Sequence, residues 1–294
     1  MQIINLVENE LGSSGCEAAH GLSFYVETKN HKLLFDTSPS EVVLRNAQKL
    51  GVDLTVIDTV ILSHGHYDHS GGILAFVEID KKILSLPQVQ LLKGDTKIDD
   101  ELQVFTVDNR AFPLPSTNKR LRELCNGQYV QDDFKHEQNL LLTCEGKKIL
   151  FCGCAHNGIL NVMETLERKF GSDSLPDLVI GGFHLMKRTE FSQADTAEVT
   201  EIANRLRSYK AHFATCHCTG LPVFNFGCTP CDGESFSYIE ISVLIGLLIA
   251  SLLDTLDKKM IQKVLSKKDV IDFILENGSN SELLSWIEKQ INDR

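Results

Sequence analysis

Four potential metal ligands stand within six residues: His64, His66, Asp68 and His69, in the run Ser63-His64-Gly65-His66-Tyr67-Asp68-His69-Ser70-Gly71-Gly72. Imidazole nitrogen with a single carboxylate suits Zn²⁺, or another borderline first-row ion such as Fe or Mn. At this spacing His64 and His66 can reach one ion while Asp68 and His69 turn towards a second. The bland alternative is a His-rich surface loop, and H-x-H-x-D-H spacing closed by Gly-Gly weighs against it. The expectation is a metal site for two divalent ions, zinc first among them.

Something must hold those ligands still. Asp58-Thr59-Val60-Ile61-Leu62 precedes them and reads as a buried, β-branched strand. The ligands therefore leave the end of a strand on a Gly-rich turn, where the sheet fixes the backbone. Residues 2–7, 22–28 and 32–36 also read as strands, and Glu41–Leu50 as a helix after Ser38-Pro39-Ser40. A further helix is expected over Ile73–Ile79. The stretch from Lys82 to Asp133 is less regular, with a short strand at Leu102–Val107 and a loop at Phe112-Pro113-Leu114-Pro115. Asn139–Cys144 and Lys148–Cys152 form strands joined by a hairpin at Glu145-Gly146-Lys147. Helices follow at Asn161–Phe170 and Gln193–Tyr209, with strands at Leu178–Gly181, His212–Thr215 and Phe236–Ile241. Two halves, each of strands, helix and strands, suit two packed sheets with helices outside and the ligands at one edge.

The Ser63–Gly72 run resembles the signature of the metallo-β-lactamase fold. Lys32-Leu33-Leu34-Phe35-Asp36-Thr37 is similar to the strand ending in Asp that precedes that signature. Gly153-Cys154-Ala155-His156-Asn157-Gly158, Gly181-Gly182-Phe183-His184-Leu185 and His217-Cys218-Thr219-Gly220 resemble one branch. So do Leu6-Val7-Glu8-Asn9 and Glu17-Ala18-Ala19-His20-Gly21-Leu22-Ser23. The branch is named for 7,8-dihydropterin-6-methyl-4-(β-D-ribofuranosyl)aminobenzene-5′-phosphate synthase. The resemblance implies an α+β, four-layer αββα sandwich over residues 1–245, with residues 246–294 as a helical C-terminal extension. It implies an overhanging mid-chain region that selects the substrate. It implies a metal-dependent hydrolase of phosphoesters, cyclic phosphodiesters or lactones and esters. The synthase chemistry of the branch name is the runner-up, and a di-iron redox protein or a metal sensor the more distant alternatives.

By the same resemblance His156 joins His64 and His66 on one ion, and His217 joins Asp68 and His69 on the other. Both follow apolar strands, as ligands delivered by a sheet should. Asp68 is expected both to hold metal and to orient the nucleophile. His184 also ends a strand, and is expected to act in catalysis or beside the ligands. His20 and His136 are expected either to line the substrate pocket or to be solvated; His31 and His212 read as structural. Cys154 stands where many relatives carry a bridging Asp, and is expected to pack as a small apolar residue or to ligate metal. Cys216, Cys218, Cys228 and Cys231 invite a structural zinc knuckle, which the placement of His217 opposes: along a strand, Cys216 and Cys218 would point away from it.

Composition narrows the partners. Net charge is −11, from 29 Lys and Arg against 40 Asp and Glu. That opposes nucleic-acid binding on an open surface but not a small phosphorylated substrate, because bound cations reverse the sign locally. The opening residues show no basic, apolar leader, and nine Cys without one suggest free thiols in the cytoplasm. Val243–Leu253 is apolar but too short to span a bilayer. It is expected to be a buried or subunit-facing helix, so that the extension makes a homo-oligomer and no stable membrane insertion.

Overall fold

The computed structural model describes residues 1–12, 15–73, 94–227, 236–238 and 243–244. Its contacts divide the chain into Met1–Val243 and Leu244–Arg294. The expected C-terminal helices, the helix over Ile73–Ile79 beyond Ile73, and Cys228 and Cys231 lie outside the described residues.

Two sheets build the first unit. One contains β1 (Gln2–Val7), β2 (Ser23–Glu27), β3 (Lys32–Phe35) and β4 (Thr59–Ile61) in that order. The first two pairs are antiparallel, whereas β3 and β4 run parallel around the crossover helix α1 (Val42–Lys49). The helix α2 (Tyr67–Ser70) follows β4 inside the ligand run. The other sheet reads β13-β12-β11-β10-β9-β6-β5. It uses β5 (Thr96–Lys97), β6 (Leu102–Phe105), β9 (Asn139–Cys144), β10 (Lys147–Cys152), β11 (Leu178–Gly181), β12 (His212–Thr215) and β13 (Phe236–Tyr238). Between β6 and β9, β7 (Arg122–Cys125) and β8 (Gln128–Gln131) form a separate hairpin.

Strand alternation sorts the core into layers. On the first sheet Ile4, Leu6, Tyr25 and Leu34 pack with Val42, Val43 and Ala47 of α1. Their neighbours Phe24 and Phe35 point the other way and meet Phe151 of β10, with ring centroids 6.0 and 5.5 Å apart. Leu150 and Cys152, flanking Phe151, face the helices α3 (Ile159–Phe170) and α4 (Gln193–Leu206) with Val162, Met163 and Val199. Helix, sheet, sheet, helix is the expected four-layer αββα arrangement. A short helix, α5 (Leu221–Gly227), follows β12.

The strands β10, β11 and β12 are mutually parallel and in register, so their C-terminal ends emerge side by side. The ends of β3 and β4 emerge together on the facing sheet. Turns leaving these strands carry the chemistry. Two expectations need correcting. Asp68 and His69 lie on a helical turn, not in a loop. Val243–Leu244 form a short strand where a helix was expected; a short apolar run does not distinguish the two by periodicity.

Candidate metal centre

The six residues expected to hold ions converge in two trios. His64 Nε2 lies 3.1 Å from His66 Nδ1, and one nitrogen each of His64, His66 and His156 falls within 4.8 Å of the others. In the second trio His69 Nε2 lies 3.2 Å from His217 Nε2. Asp68 Oδ2 lies 3.3 Å from His217 Nε2 and 3.6 Å from His69 Nε2. Nitrogens on one first-row ion, each about 2.0–2.1 Å from it, stand roughly 2.9–3.4 Å apart. The ring contacts have that spacing.

The other nitrogen of each ring decides whether a lone pair faces inward, because an N–H given to an outer oxygen leaves the inner nitrogen bare. His69 Nδ1 lies 2.7 Å from Asp36 Oδ2, and His64 Nδ1 lies 2.8 Å from Ser63 Oγ, which itself donates to Asp36 Oδ2 at 2.7 Å. His156 Nδ1 lies 3.0 Å from Asn118 Oδ1, and His217 Nδ1 3.0 Å from Asn9 Oδ1. His66 Nε2 is 3.5 Å from Asp132 Oδ2. Every imidazole of the two trios thus has an oxygen behind it and a nitrogen in front. The buried Nε2 of His156 has no hydrogen-bond partner. Buried polar atoms are seldom left so, and a cation between the rings accounts for it. These donors fit first-row divalent ions.

Backbone and burial fix the rings. Asp36, Ala155, His184 and His217 all have φ between 48° and 60°, a left-handed conformation that clusters at functional sites when L residues adopt it. The carboxylate of Glu137 accepts the backbone N–H groups of His156 and Asn157. Glu8 accepts the backbone N–H of His217 and the hydroxyl of Tyr238. Gly153 passes so close to the signature that a Cβ there would sit 2.0 Å from Ser63 Oγ.

Burial, then neighbouring rings, holds the His64 and His156 pKa values well below the ordinary imidazole value. His217 falls to about 4, mainly by burial against the partial compensation of Asp68. Burial also pushes the Asp68 carboxyl up, but His217, His69 and His20 outweigh it and the group stays ionised. His69 is likewise disfavoured as a cation by burial, yet Asp36 raises its pKa overall.

His184 joins the centre. Its ring lies 4.2 Å from that of His156, and neither ring nitrogen has a partner. Burial and then Arg120 lower its pKa to about 3. His20 and His136 sit at the rim and are exposed: His20 Nε2 lies 3.5 Å from Asp68 Oδ2, and His136 Nε2 lies 3.3 Å from Asp132 Oδ2. His31 and His212 lie elsewhere, bonded to Asp58 and Asp99 and to Ser237. Cys154 is buried, with Sγ 3.1 Å from His69 Nε2. Cys218 corrects the sequence expectation. It occupies a tight turn, not a strand, so its Sγ turns towards Cys154 and His217.

Comparison with known proteins agrees with this architecture. The metallo-beta-lactamase superfamily model matches residues 17–119. A solved structure described as a metal-dependent hydrolase of the β-lactamase superfamily superposes with a TM-score of 0.65 at 25% identity, covering 83% of this chain and 98% of that one. The chain has the metallo-β-lactamase fold. Among curated relatives, the 7,8-dihydropterin-6-methyl-4-(β-D-ribofuranosyl)-aminobenzene-5′-phosphate synthase of Methanocaldococcus jannaschii is 26% identical over 270 residues, 76% of this chain and 90% of that protein. An uncharacterized protein of the same organism is 26% identical over 235 residues, 69% of this chain and 85% of its own. The superfamily match ends before His156, His184 and His217, so their place in the centre rests on the geometry above.

Proposed function

We propose that this protein is a metal-dependent hydrolase of a small substrate, cleaving a phosphoester, cyclic phosphodiester or lactone/ester bond at two divalent ions, zinc foremost. The observation that carries the reading is the pair of trios, His64, His66, His156 and Asp68, His69, His217, with bare nitrogens facing one another at 3.1 and 3.2 Å. Such ions, when bound, polarise the electrophile and provide a nucleophilic water near neutral pH. Asp68 is the carboxylate of the set. Held ionised between His217 and His20, it accepts a hydrogen bond from the nucleophile and orients it. His184, neutral because of its burial, has a ring N–H to give to the developing oxyanion or the leaving oxygen.

The rim favours an anion. Arg120 and Arg188 are exposed, and both act electrostatically on His20; Arg120 acts on His184 as well. A phosphorylated small molecule meets these groups with His20 and His136 at its flanks. The cytoplasm fits the free, buried thiols of Cys152, Cys154, Cys216 and Cys218, and no helix among the described residues is long and apolar enough to cross a membrane.

The second reading is a synthase-type transferase, favoured by the likeness to the M. jannaschii synthase. One experiment separates the two. Metal content is measured for the wild type and His64→Ala, and each is assayed on phosphodiesters, lactones and thioesters and for consumption of a phosphoribosyl donor. Between one and two equivalents of metal, at least one of them lost with nearly all hydrolysis in His64→Ala, is the expected result. Donor consumption without hydrolysis would select the synthase.

A further inference from the structure

We propose that Cys154 is a metal ligand shared between the two ions, its thiolate standing between the trios. The proposal rests on the two-ion reading above and adds a soft, anionic donor to it. The placement comes from β10, whose last residue is Cys152; Gly153 then holds the chain against Ser63 and Cys154 follows, fully enclosed.

The thiol sits at the boundary of the two sets. Its Sγ lies within 4.8 Å of the nearest ring nitrogens of His64 and His156, which belong to the first trio. The same limit holds for His69 and His217, which belong to the second. A sulfur and a nitrogen on one zinc ion, about 2.3 and 2.0–2.1 Å from it, stand roughly 3.1–3.6 Å apart; Sγ and His69 Nε2 are 3.1 Å apart. Two ions of a paired site lie about 3.5–4 Å from each other, close enough for one sulfur to touch both.

A simple S–H···N hydrogen bond explains less. In the neutral His69 ring, the Nδ1 proton directed at Asp36 leaves Nε2 with one lone pair. Around that lone pair stand Cys154 Sγ at 3.1 Å, His217 Nε2 at 3.2 Å and Asp68 Oδ2 at 3.6 Å. The one thiol proton cannot satisfy a bare nitrogen, a second bare nitrogen and a carboxylate oxygen together. A cation at their centre can. Cys218, the other thiol nearby, is differently engaged: it accepts the backbone N–H of His184 and faces the carbonyl of Cys154. It is therefore the comparison residue.

The full-length protein, freed of metal and titrated with Co²⁺, reads the ligand directly through its near-ultraviolet thiolate-to-metal charge-transfer band. The wild type should show the band growing over both equivalents. Cys154→Ser should lose it while the visible ligand-field bands of histidine-bound Co²⁺ persist, which also shows that the variant is folded. Cys218→Ser should keep it. On the zinc-loaded wild type, X-ray absorption should find a sulfur neighbour at about 2.3 Å that vanishes in Cys154→Ser. Two equivalents of Co²⁺ bound without a thiolate band would overturn the assignment of Cys154 and leave the two-ion reading intact. So would a band that survives in Cys154→Ser or disappears in Cys218→Ser. No Co²⁺ bound by the wild type would overturn both.

Discussion

Asp36 is the group on which both trios lean, and Asp36→Asn tests that. Its carboxylate is fully buried and accepts three hydrogen bonds of 2.7 Å: the Ser63 backbone N–H, the Ser63 hydroxyl and the His69 Nδ1–H. The Ser63 hydroxyl in turn accepts from His64 Nδ1 at 2.8 Å. Proton direction therefore runs from His64 through Ser63 to Asp36, and from His69 straight to it. Asparagine is the same size and tolerates the left-handed φ of 60° at this position, so the backbone is preserved. Its amide, however, has hydrogens where one carboxylate oxygen accepted. A donor at that place reverses the Ser63 hydroxyl and asks both Nδ1 atoms to become acceptors. Each ring then carries its proton on Nε2, the atom that faces the other ligands.

Loss of such a supporting group typically weakens metal binding about 10–100-fold, or about 1.4–2.7 kcal/mol per ion. Ser63→Ala breaks only the His64 branch. Competition with a chromophoric chelator, resolving both equivalents, should show both weakened in Asp36→Asn. Ser63→Ala should weaken one and spare the equivalent held by His69 and His217. Unchanged affinity for both ions in Asp36→Asn would refute the argument that tautomer direction is set here. An equal loss at both sites in Ser63→Ala would refute the branching.

Other outcomes follow from the same geometry. His184→Ala should lower turnover much more than metal content; loss of a whole equivalent would make His184 a ligand. Asn118→Ala should weaken the ion held with His156, by about tenfold, measurable in the same chelator competition, because Asn118 holds Nδ1 of that ring. For the metal-free protein, His217 and His184 have folded pKa values of about 4 and 3, below the unfolded 6.5. The unfolded chain therefore binds more protons between those values, and stability is lost as pH falls through that window. Each ring should cost about 1 kcal/mol between pH 7.5 and 5.5; denaturant unfolding that is flat over this range would contradict it. Ser192→Ala should cost about 1 kcal/mol in unfolding free energy and leave metal binding unchanged, since Ser192 and Asp195 form a capping box at the start of α4, away from the ligands.

The signature and its preceding strand were legible because the ligands are adjacent in sequence and their chemistry is particular. The strands ending at His184 and His217 were legible for a similar reason, each being a short apolar run with a histidine just beyond it. The oxygens behind the rings were not. Asn118, Asn9 and Asp132 come from a tight turn, an N-terminal segment and the end of a hairpin, and any element that passes a ring can supply such an acceptor. Spacing keeps no record of that choice. Asp36 and Asn9 stood within recognisable segments, but nothing in those segments revealed which atom they would hold. The β7–β8 hairpin escaped for a different reason: its strands are mostly exposed and lack an apolar face. Its readable signal was Asn126-Gly127, both with positive φ, the turn that suits a two-residue hairpin connection. Cys218 departs from the strand pattern because the chain turns at His217 and does not continue extended to residue 218.

Charge ties the centre to its substrate. The chain carries −11 overall, which opposes approach of a long polyanion across its surface. The proposed donors supply one carboxylate and one thiolate, so two divalent ions leave the centre positive, and Arg120 and Arg188 add to that field at the rim. At physiological ionic strength such a field decays over about 8 Å. A small anion that enters the mouth is inside that distance throughout, while most of a nucleic acid would lie beyond it and against acidic surface. Arg120→Ala should therefore raise KM for a phosphorylated substrate more than for a neutral lactone. Added salt should narrow the difference between the two substrates in the wild type, and equal effects on both would remove the electrostatic argument for an anionic substrate.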